Sequence, residues 1–228
     1  MGSMDKKGLI IFDFDGVIVD STRTMFKYTK RSIPFMSWKL YQEIFDARSF
    51  FKAIGIYNTI RRSFQKRTPE EVQKRRSAYT KEKLETCAIV PGMEKLLQAL
   101  SKEYTLAVNT NSQKVNCVPL LEKYGLTQYF SKIETGDRTS SKAEKNIEIL
   151  NELGFRPVNA LFITDSIRDV LFAKDAGILS IGVLSGVHEK RHFERRRVRK
   201  SVVAVAGDAQ ELERSIRNYF EHEEHIPH

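Results

Sequence analysis

The chain has 228 residues, a hydrophobic content of 41% and a formal net charge of +9 at pH 7. This length allows one sizeable core plus a smaller inserted or appended domain, and the composition is that of a folded globular protein. No stretch is apolar for long enough to cross a bilayer and no secretory signal is visible, so we expect a cytoplasmic protein without a membrane partner. The two cysteines, Cys87 and Cys117, lack metal-ligand spacing and are expected to be reduced packing residues.

The first predicted element is a strand at residues 9–12, after an N-terminal Met1-Gly2-Ser3 that resembles an expression scar and makes Met4 the expected native start. The four apolar residues of the predicted strand at 9–12 are typical of a strand buried on both faces. Asp13 and Asp15 follow it directly. In open α/β sheets the chemistry lies just beyond such strand ends, although an Asp-x-Asp-Gly sequence also suits a solvated turn.

Residues 21–88 are predicted to form a small helical insert, rich in aromatic and basic residues. Its clearest boundary is Thr68-Pro69-Glu70-Glu71, where Thr can cap a helix, Pro fits the first position and Glu lies three residues after the cap. That helix should reach about Glu85. The residues expected to build the insert's own core are Phe26, Tyr28, Phe35, Trp38, Leu40, Ile44, Phe45, Phe50, Phe51 and Ile54.

From Pro91 onward, predicted helices and strands alternate, which is the α/β pattern. We predict helices at 93–101, 113–124, 142–153, 167–176 and 209–220, and strands at 104–108, 131–134, 160–163, 178–183 and 202–205. The expected fold is α/β, with a doubly wound, mostly parallel Rossmann-like sheet. Residues 4–20 and 89–228 would form this core domain, and 21–88 the smaller helical domain.

Two segments supply most of the positive charge. Residues 61–83 contain nine Lys or Arg against three Glu, and residues 188–200 contain seven against two. Such faces attract phosphorylated ligands or nucleic acid, but a solvated helix face is the commoner explanation. All five histidines lie at or beyond His188, so a Ser-His-Asp or Cys-His site is disfavoured.

Polar residues follow four of the predicted strands or begin the helices after them. In a parallel sheet these ends meet, and clustered carboxylates there predict a bound Mg²⁺, because like charges repel unless a cation or a proton intervenes. Thr110 and the Lys142 ammonium would hold a phosphoryl group for attack by a carboxylate. The polar residues are Asp13, Asp15, Thr110, Asn111, Ser112, Lys142, Thr164, Asp165, Ser166 and Asp169.

In their order and identity these motifs resemble the haloacid dehalogenase superfamily of aspartate-nucleophile phosphohydrolases, in particular its phosphoglycolate phosphatase and beta-phosphoglucomutase-like members, whose helical cap follows the first motif. Two departures from the family pattern are Thr164, where similar proteins often have Gly or an acid, and the absence of a Pro after Lys142. The matching segments are Asp13-Phe14-Asp15-Gly16-Val17, Leu106-Ala107-Val108-Asn109-Thr110-Asn111, Lys142 and Asp165-Ser166-Ile167-Arg168-Asp169.

The resemblance implies a role for each residue. Asp13 would be the nucleophile that forms an aspartyl-phosphate, and Asp15 the general acid and base. The dehalogenase branch lacks a carboxylate at the position of Asp15, so dehalogenation is disfavoured. Lys142 would be catalytic by orienting the nucleophile, and with Thr110 and Asn111 it would bind the phosphoryl group. The implied metal residues are Asp13, Asp15 through its carbonyl, Asp165 and Asp169.

The function expected from the resemblance is Mg²⁺-dependent hydrolysis of a small phosphorylated metabolite, by a monomer or homodimer. Residues between Ser21 and Lys83 would select the substrate, with Arg61, Arg62, Lys66 and Arg67 as candidates for a second anionic group. One alternative is a phosphomutase, which would pass the phosphoryl group to a substrate hydroxyl. Another is a nucleic-acid-associated end phosphatase or binding protein that uses the two basic segments.

Overall fold

A computed structural model of the protein describes residues 6–33, 35–44 and 68–223. Its centre is a six-stranded sheet in which every neighbouring pair of strands is parallel, in the order β5-β4-β1-β6-β7-β8. A separate antiparallel pair joins β2 and β3. The strands are β1 (Leu9–Phe12), β2 (Val19–Asp20), β3 (Ala88–Ile89), β4 (Thr105–Asn109), β5 (Lys132–Glu134), β6 (Ala160–Thr164), β7 (Leu179–Val183) and β8 (Val202–Ala206).

Helices cover both faces of this sheet. The expected capping box is present at the start of the helix that follows Thr68. Glu71 N donates to Thr68 Oγ1 over 3.3 Å, and Thr68 N donates to Glu71 Oε2 over 3.1 Å. Among the described residues the helices are α1 (Thr22–Ser32), α2 (Trp38–Ile44), α3 (Pro69–Thr86), α4 (Met93–Glu103), α5 (Lys114–Lys123), α6 (Lys142–Leu153), α7 (Ile167–Asp175), α8 (Lys190–Phe193) and α9 (Ala209–Glu223).

The central strand β1 belongs to two hydrophobic cores at once. Ile10 and Phe12 pack into the core under α4, α5 and α9, whereas Leu9 and Ile11 pack into the core under α6 and α7. All four side chains are fully buried. The apolar run is therefore explained by alternation between two covered faces, and the predicted doubly wound parallel sheet is confirmed.

The sheet reverses its direction of winding at β1. The chain passes from β1 to β4 on one side, and later to β6 on the other, so the carboxyl ends of these three strands border one crevice. In doubly wound sheets ligands bind at such a switch point. Thus the fold places Asp13, Thr110 and Asp165, which follow β1, β4 and β6, at the same edge.

The chain leaves and rejoins the core domain through the short β2–β3 pair, which the sequence pattern did not predict because each strand has only two residues. Between them lie α1, α2 and α3. Phe26 makes edge-to-face contacts with Trp38 and Tyr41. Four of the expected insert-core residues, Phe45, Phe50, Phe51 and Ile54, and the basic residues Arg61, Arg62, Lys66 and Arg67, lie outside the described residues.

The expectation that Phe35, Trp38 and Leu40 belong to the insert's core is wrong, because all three are exposed. Tyr41 and Gln42 take the inward positions of α2 instead. Both cysteines are free and buried, as expected. No helix in residues 6–33, 35–44 and 68–223 is long and apolar enough to span a membrane.

Candidate active site

A cavity of about 160 Å³ opens at the carboxyl edge of the sheet. Its walls come from the ends of β1, β4 and β6, the first turns of α6 and α7, the helices α1 and α2, and the loop after β7. All seven residues to which the family resemblance assigned a role line it: Asp13, Asp15, Thr110, Asn111, Lys142, Asp165 and Asp169. The structure therefore brings together residues that are separated by up to 156 positions along the chain.

Lys142 lies between two aspartates at the floor of the cavity. Its Nζ is 2.7 Å from Asp13 Oδ2 and 2.6 Å from Asp169 Oδ2, and all three side chains are buried. The Ser141–Glu144 capping box starts α6 at this lysine and fixes its position. Asn109 Nδ2 also donates to the Lys142 carbonyl oxygen over 2.9 Å, which holds the helix start against the end of β4.

The charges of this group are unequal. Burial raises the pKa of Asp13 above its ordinary value, although the Lys142 ammonium opposes the rise. Burial also disfavours the charge on Asp169, but there the Lys142 ammonium and the neighbouring Arg168 prevail, and the pKa of Asp169 falls well below its usual range. Asp169 is therefore the carboxylate that stays ionised beside Lys142. A further cation at the site would favour the ionised form of Asp13.

Asp15 is held by three side chains that come from separate parts of the fold. Lys83 Nζ lies 2.5 Å from Asp15 Oδ1, Ser21 Oγ donates to the same oxygen over 2.5 Å, and Ser112 Oγ donates to Oδ2. Burial alone would raise the pKa of Asp15, but the Lys83 ammonium and these hydrogen bonds outweigh it and hold the pKa below its ordinary value. The carboxyl group of Asp15 is therefore ionised in this arrangement.

Sequence reasoning missed Lys83 and Ser21 as site residues. Lys83 was counted within a basic segment, where a solvated face is the ordinary interpretation, yet its side chain has no exposed surface. The available signal was its place in the last turn of the helix before the chain rejoins the core. That turn passes close to the end of β1.

Asp165 is enclosed by backbone rather than by side chains. Val187 N donates to Asp165 Oδ2 over 2.8 Å. A Cβ at Gly16 or Gly186 would fall 2.5 or 2.0 Å from the same oxygen, so only glycine fits at both positions. Burial raises the pKa of Asp165 to about 7 against the effect of the Val187 hydrogen bond.

Thr110 and Asn111 form the wall of the cavity after β4. Ser112 N donates to Thr110 Oγ1 over 3.0 Å, and the buried Lys145 donates from Nζ to the Thr110 carbonyl oxygen over 2.8 Å. Asn111 lines the cavity, and its carbonyl oxygen is packed so closely on Gly136 that a Cβ there would be 2.1 Å away. Thr110 and Asn111 thus line the same cavity as Lys142.

The residues present fit a hard divalent cation. Asp13 and Asp165 are buried carboxylates whose pKa values are both raised, first by burial and then by the negative charge of Asp169. Asp165 also raises the pKa of Asp13. A cation would remove that cost of ionisation, and oxygen ligands are those that Mg²⁺ prefers. No group of three or more His, Cys, Asp and Glu side chains within the described ranges is arranged as a metal cage. Mg²⁺ is usually bound by one or two carboxylates and keeps several waters, and Asp13 and Asp165 supply two carboxylates at this cavity.

Comparison with known proteins identifies the family. The family model of the haloacid dehalogenase-like hydrolases matches residues 10–183. A phosphoglycolate phosphatase from Agrobacterium fabrum is 31% identical over 82% of this chain and 84% of its own length, and one from Synechococcus elongatus is 25% identical over 80% and 86%.

A hydrolase from Pseudomonas syringae of known crystal structure superposes with a TM-score of 0.71 at 20% identity, over 92% of this chain and 98% of that one, which shows the shared fold. The family model spans every motif from Asp13 to Asp169. The expected family and the expectation of a hydrolytic enzyme are therefore confirmed. The chain belongs to the haloacid dehalogenase-like hydrolases.

Proposed function

We propose that the protein is a Mg²⁺-dependent phosphatase that hydrolyses a small phosphomonoester through an aspartyl-phosphate on Asp13. The observation that carries the proposal is the placement of Lys142 Nζ, 2.7 Å from Asp13 Oδ2 and 2.6 Å from Asp169 Oδ2, in a cavity that also contains Thr110 and Asp165. Because Lys142 also pairs with Asp169, it orients the Asp13 carboxylate without neutralising its charge fully.

Asp13 is oriented for attack by two fixed donors. Phe14 N donates to Asp13 Oδ1 over 2.7 Å, and Lys142 Nζ contacts Oδ2. In the first step an Asp13 oxygen bonds to phosphorus, the bond from phosphorus to the leaving oxygen breaks, and that oxygen takes a proton. In the second step water attacks the phosphorus of the aspartyl-phosphate and gives up a proton, the bond from phosphorus to the Asp13 oxygen breaks, and inorganic phosphate leaves.

Asp15 is the group that moves these protons. Its ionised state, held by Lys83, Ser21 and Ser112, is the state required to deprotonate the attacking water. To protonate the leaving oxygen it must first carry a proton, so we propose that Asp15 gives up its contact with Lys83 for the first step.

A bound Mg²⁺ would be held by Asp13, the backbone carbonyl of Asp15 and Asp165, and it would supply positive charge to the phosphoryl oxygens. Asp169, which the sequence analysis also proposed as a metal residue, is committed to Lys142 and Arg168 in this structure. We propose that it supports the site through Lys142. Thr110 and Lys142 would donate to the phosphoryl oxygens, with Asn111 beside them.

The dimensions of the cavity support a small substrate. Its volume of about 160 Å³ is below the roughly 300–1,000 Å³ of sites for drug-sized ligands. The relatives from Agrobacterium and Synechococcus are both named phosphoglycolate phosphatases, which makes 2-phosphoglycolate the first substrate to test.

The test is phosphate release from a panel of phosphomonoesters, with Mg²⁺ and with a chelator. The panel contains 2-phosphoglycolate, a hexose phosphate, a nucleotide, and short oligonucleotides phosphorylated at the 3′ or 5′ end. Metal-dependent release from a small metabolite is the expected result. Isomerised product without phosphate release would indicate the phosphomutase. Phosphate release from oligonucleotides alone would indicate that the basic segments bind a nucleic-acid substrate.

A further inference from the structure

The loop after β7, residues 185–188, lies between the helical insert and Asp165. On the Asp165 side it makes two polar contacts: Val187 N donates to Asp165 Oδ2 over 2.8 Å, and His188 Nδ1 lies 3.2 Å from the Asp165 carbonyl oxygen. The loop also reaches the first motif, because Ser185 Oγ donates to the Gly16 carbonyl oxygen over 2.7 Å. The 185–188 loop therefore fixes where the Asp165 carboxylate lies.

The same loop is bound from its other side by the insert. Gln42 of α2 donates from Nε2 to the Val187 carbonyl oxygen over 3.0 Å, and this contact is buried. The Val187 side chain is 4% exposed and belongs to a hydrophobic cluster whose other buried members, Ile33, Met36 and Tyr41, all come from the insert. Among the described residues, Val187 is the single buried member of that cluster that lies outside the insert.

One residue thus uses its three chemical groups in two directions. The amide N–H of Val187 is directed to Asp165, whereas its carbonyl and its side chain are directed to the insert. Because the amide nitrogen and the carbonyl carbon of Val187 are both bonded to its Cα, and Gly186 packs directly on Asp165, a shift of the Val187 carbonyl with α2 shifts the loop that supports the carboxylate. The outer contacts of a metal-binding carboxylate orient it and alter metal affinity.

We infer that docking of the insert sets the metal affinity of the site through Val187, and that Gln42 is the positioning residue of this coupling. The inference rests on the proposed function, since it takes Asp165 as a ligand of Mg²⁺. In a protein whose insert is docked, the loop is held and Asp165 is presented for binding. When α2 releases the loop, Asp165 loses that support and the cation is bound more weakly.

The test compares three proteins: wild type, Gln42→Met and Glu43→Met. Methionine keeps the length of glutamine but cannot donate to the Val187 carbonyl, and Glu43 is an exposed neighbour on the same helix, which makes it the matched control. The dissociation constant for Mg²⁺ is measured calorimetrically without substrate, and kcat and the Mg²⁺ concentration for half-maximal activity are measured separately. A thermal unfolding midpoint shows that each variant is folded.

We expect Gln42→Met to weaken Mg²⁺ binding by about threefold to tenfold, the equivalent of one lost hydrogen bond, with Glu43→Met unchanged. If Gln42→Met does not fold, Val187→Ala takes its place in the test. This variant keeps both backbone contacts but removes the side chain from the insert cluster, and it should also weaken Mg²⁺ binding. Equal Mg²⁺ binding by wild type and Gln42→Met, or equal losses in Gln42→Met and Glu43→Met, would overturn the coupling alone. Failure of the wild type to bind Mg²⁺ would overturn the proposed function and the coupling with it.

Discussion

The ammonium of Lys83 lies 2.5 Å from Asp15 Oδ1, and the lysine side chain is completely buried. Lys83 comes from the last turn of α3, 68 positions after the aspartate. Its Nζ also donates to Ser112 Oγ over 3.2 Å, so one cation ties the return of the insert to the ends of β1 and β4. Asp15, the proposed general acid and base, is thereby connected to the insert itself.

Replacement of Lys83 by Met should impair both stability and turnover. The substitution leaves the Asp15 carboxylate without its cation, and an unpaired carboxylate of this kind lowers the free energy of unfolding by up to about 3 kcal/mol. It also raises the pKa of Asp15, so the base form becomes scarcer at neutral pH. Urea unfolding and kcat at pH 7 measure the two effects.

Lys81→Met is the matched control for that variant. Lys81 lies on the same helix, is largely exposed and is 3.9 Å from Glu85, so its loss should change stability by no more than about 0.5 kcal/mol. If Lys83→Met matched Lys81→Met in both stability and kcat, the buried ion pair would have no role in the site.

Gly186 is predicted to be intolerant of any side chain. A Cβ there would lie 2.0 Å from Asp165 Oδ2, so Gly186→Ala must displace either the loop or the carboxylate. We expect Mg²⁺ affinity to fall by roughly 10-fold or more, as for other changes in the contacts of metal-binding side chains. Gly207→Ala, whose Cβ would be 3.3 Å from Glu211 Oε2, is the comparison, and Mg²⁺ titration calorimetry is the measurement. Equal affinities in the two variants would contradict the assignment of Asp165.

Magnesium binding should depend on pH near neutrality. Burial raises the pKa of Asp165 to about 7, so much of this carboxyl group is protonated at pH 6 and ionised at pH 8 in the metal-free protein. A cation must displace that proton, and so affinity should rise with pH across this interval and binding should release protons. Calorimetry in two buffers with different ionisation enthalpies detects the proton release. A dissociation constant that is flat from pH 6 to 8 would show that Asp165 is already ionised or is not a ligand.

The exposed arginines of the basic segment at 188–200 should not contribute to turnover of a small substrate. His188 and His192 within it are buried, whereas Arg196 and Arg197 are exposed, and none of the four lines the cavity. The double variant Arg196→Glu/Arg197→Glu should keep kcat/KM within about twofold, because surface substitutions away from a site change energies by about 0.5 kcal/mol. A much larger loss, or salt-dependent oligonucleotide binding by the wild type that the variant lacks, would favour the nucleic-acid alternative.

The sequence was sufficient for the elements whose pattern is local. The helix α6 begins and ends where the pattern predicted, since Ser141 and Glu144 cap its start and Gly154, at a φ of 74°, ends it. Asp13, Thr110, Lys142 and Asp165 follow from apolar strands and short motifs, and the structure gathers them in one cavity.

Lys83 and Val187 could not be predicted in the same way. Each acts through a partner far away in the chain, Asp15 for the first and Gln42 with Asp165 for the second. The place of Lys83 in the last turn of α3 is the one signal for it, since the types of the surrounding residues do not distinguish a buried lysine from a solvated one. Nothing along the sequence distinguishes Val187 from any other loop valine. Tertiary packing decides such roles, and only the folded chain displays it.

The most direct test of the account is the turnover of Asp13→Asn with 2-phosphoglycolate, or with whichever phosphomonoester the wild type hydrolyses, in saturating Mg²⁺. Asparagine keeps the shape of the side chain and its contact with Phe14 N, but it removes the attacking carboxylate. The account predicts a loss of at least about a thousandfold in kcat, as expected when a nucleophile is removed, with an unchanged unfolding midpoint or a higher one. Turnover close to that of the wild type would contradict the assignment of Asp13 as the nucleophile.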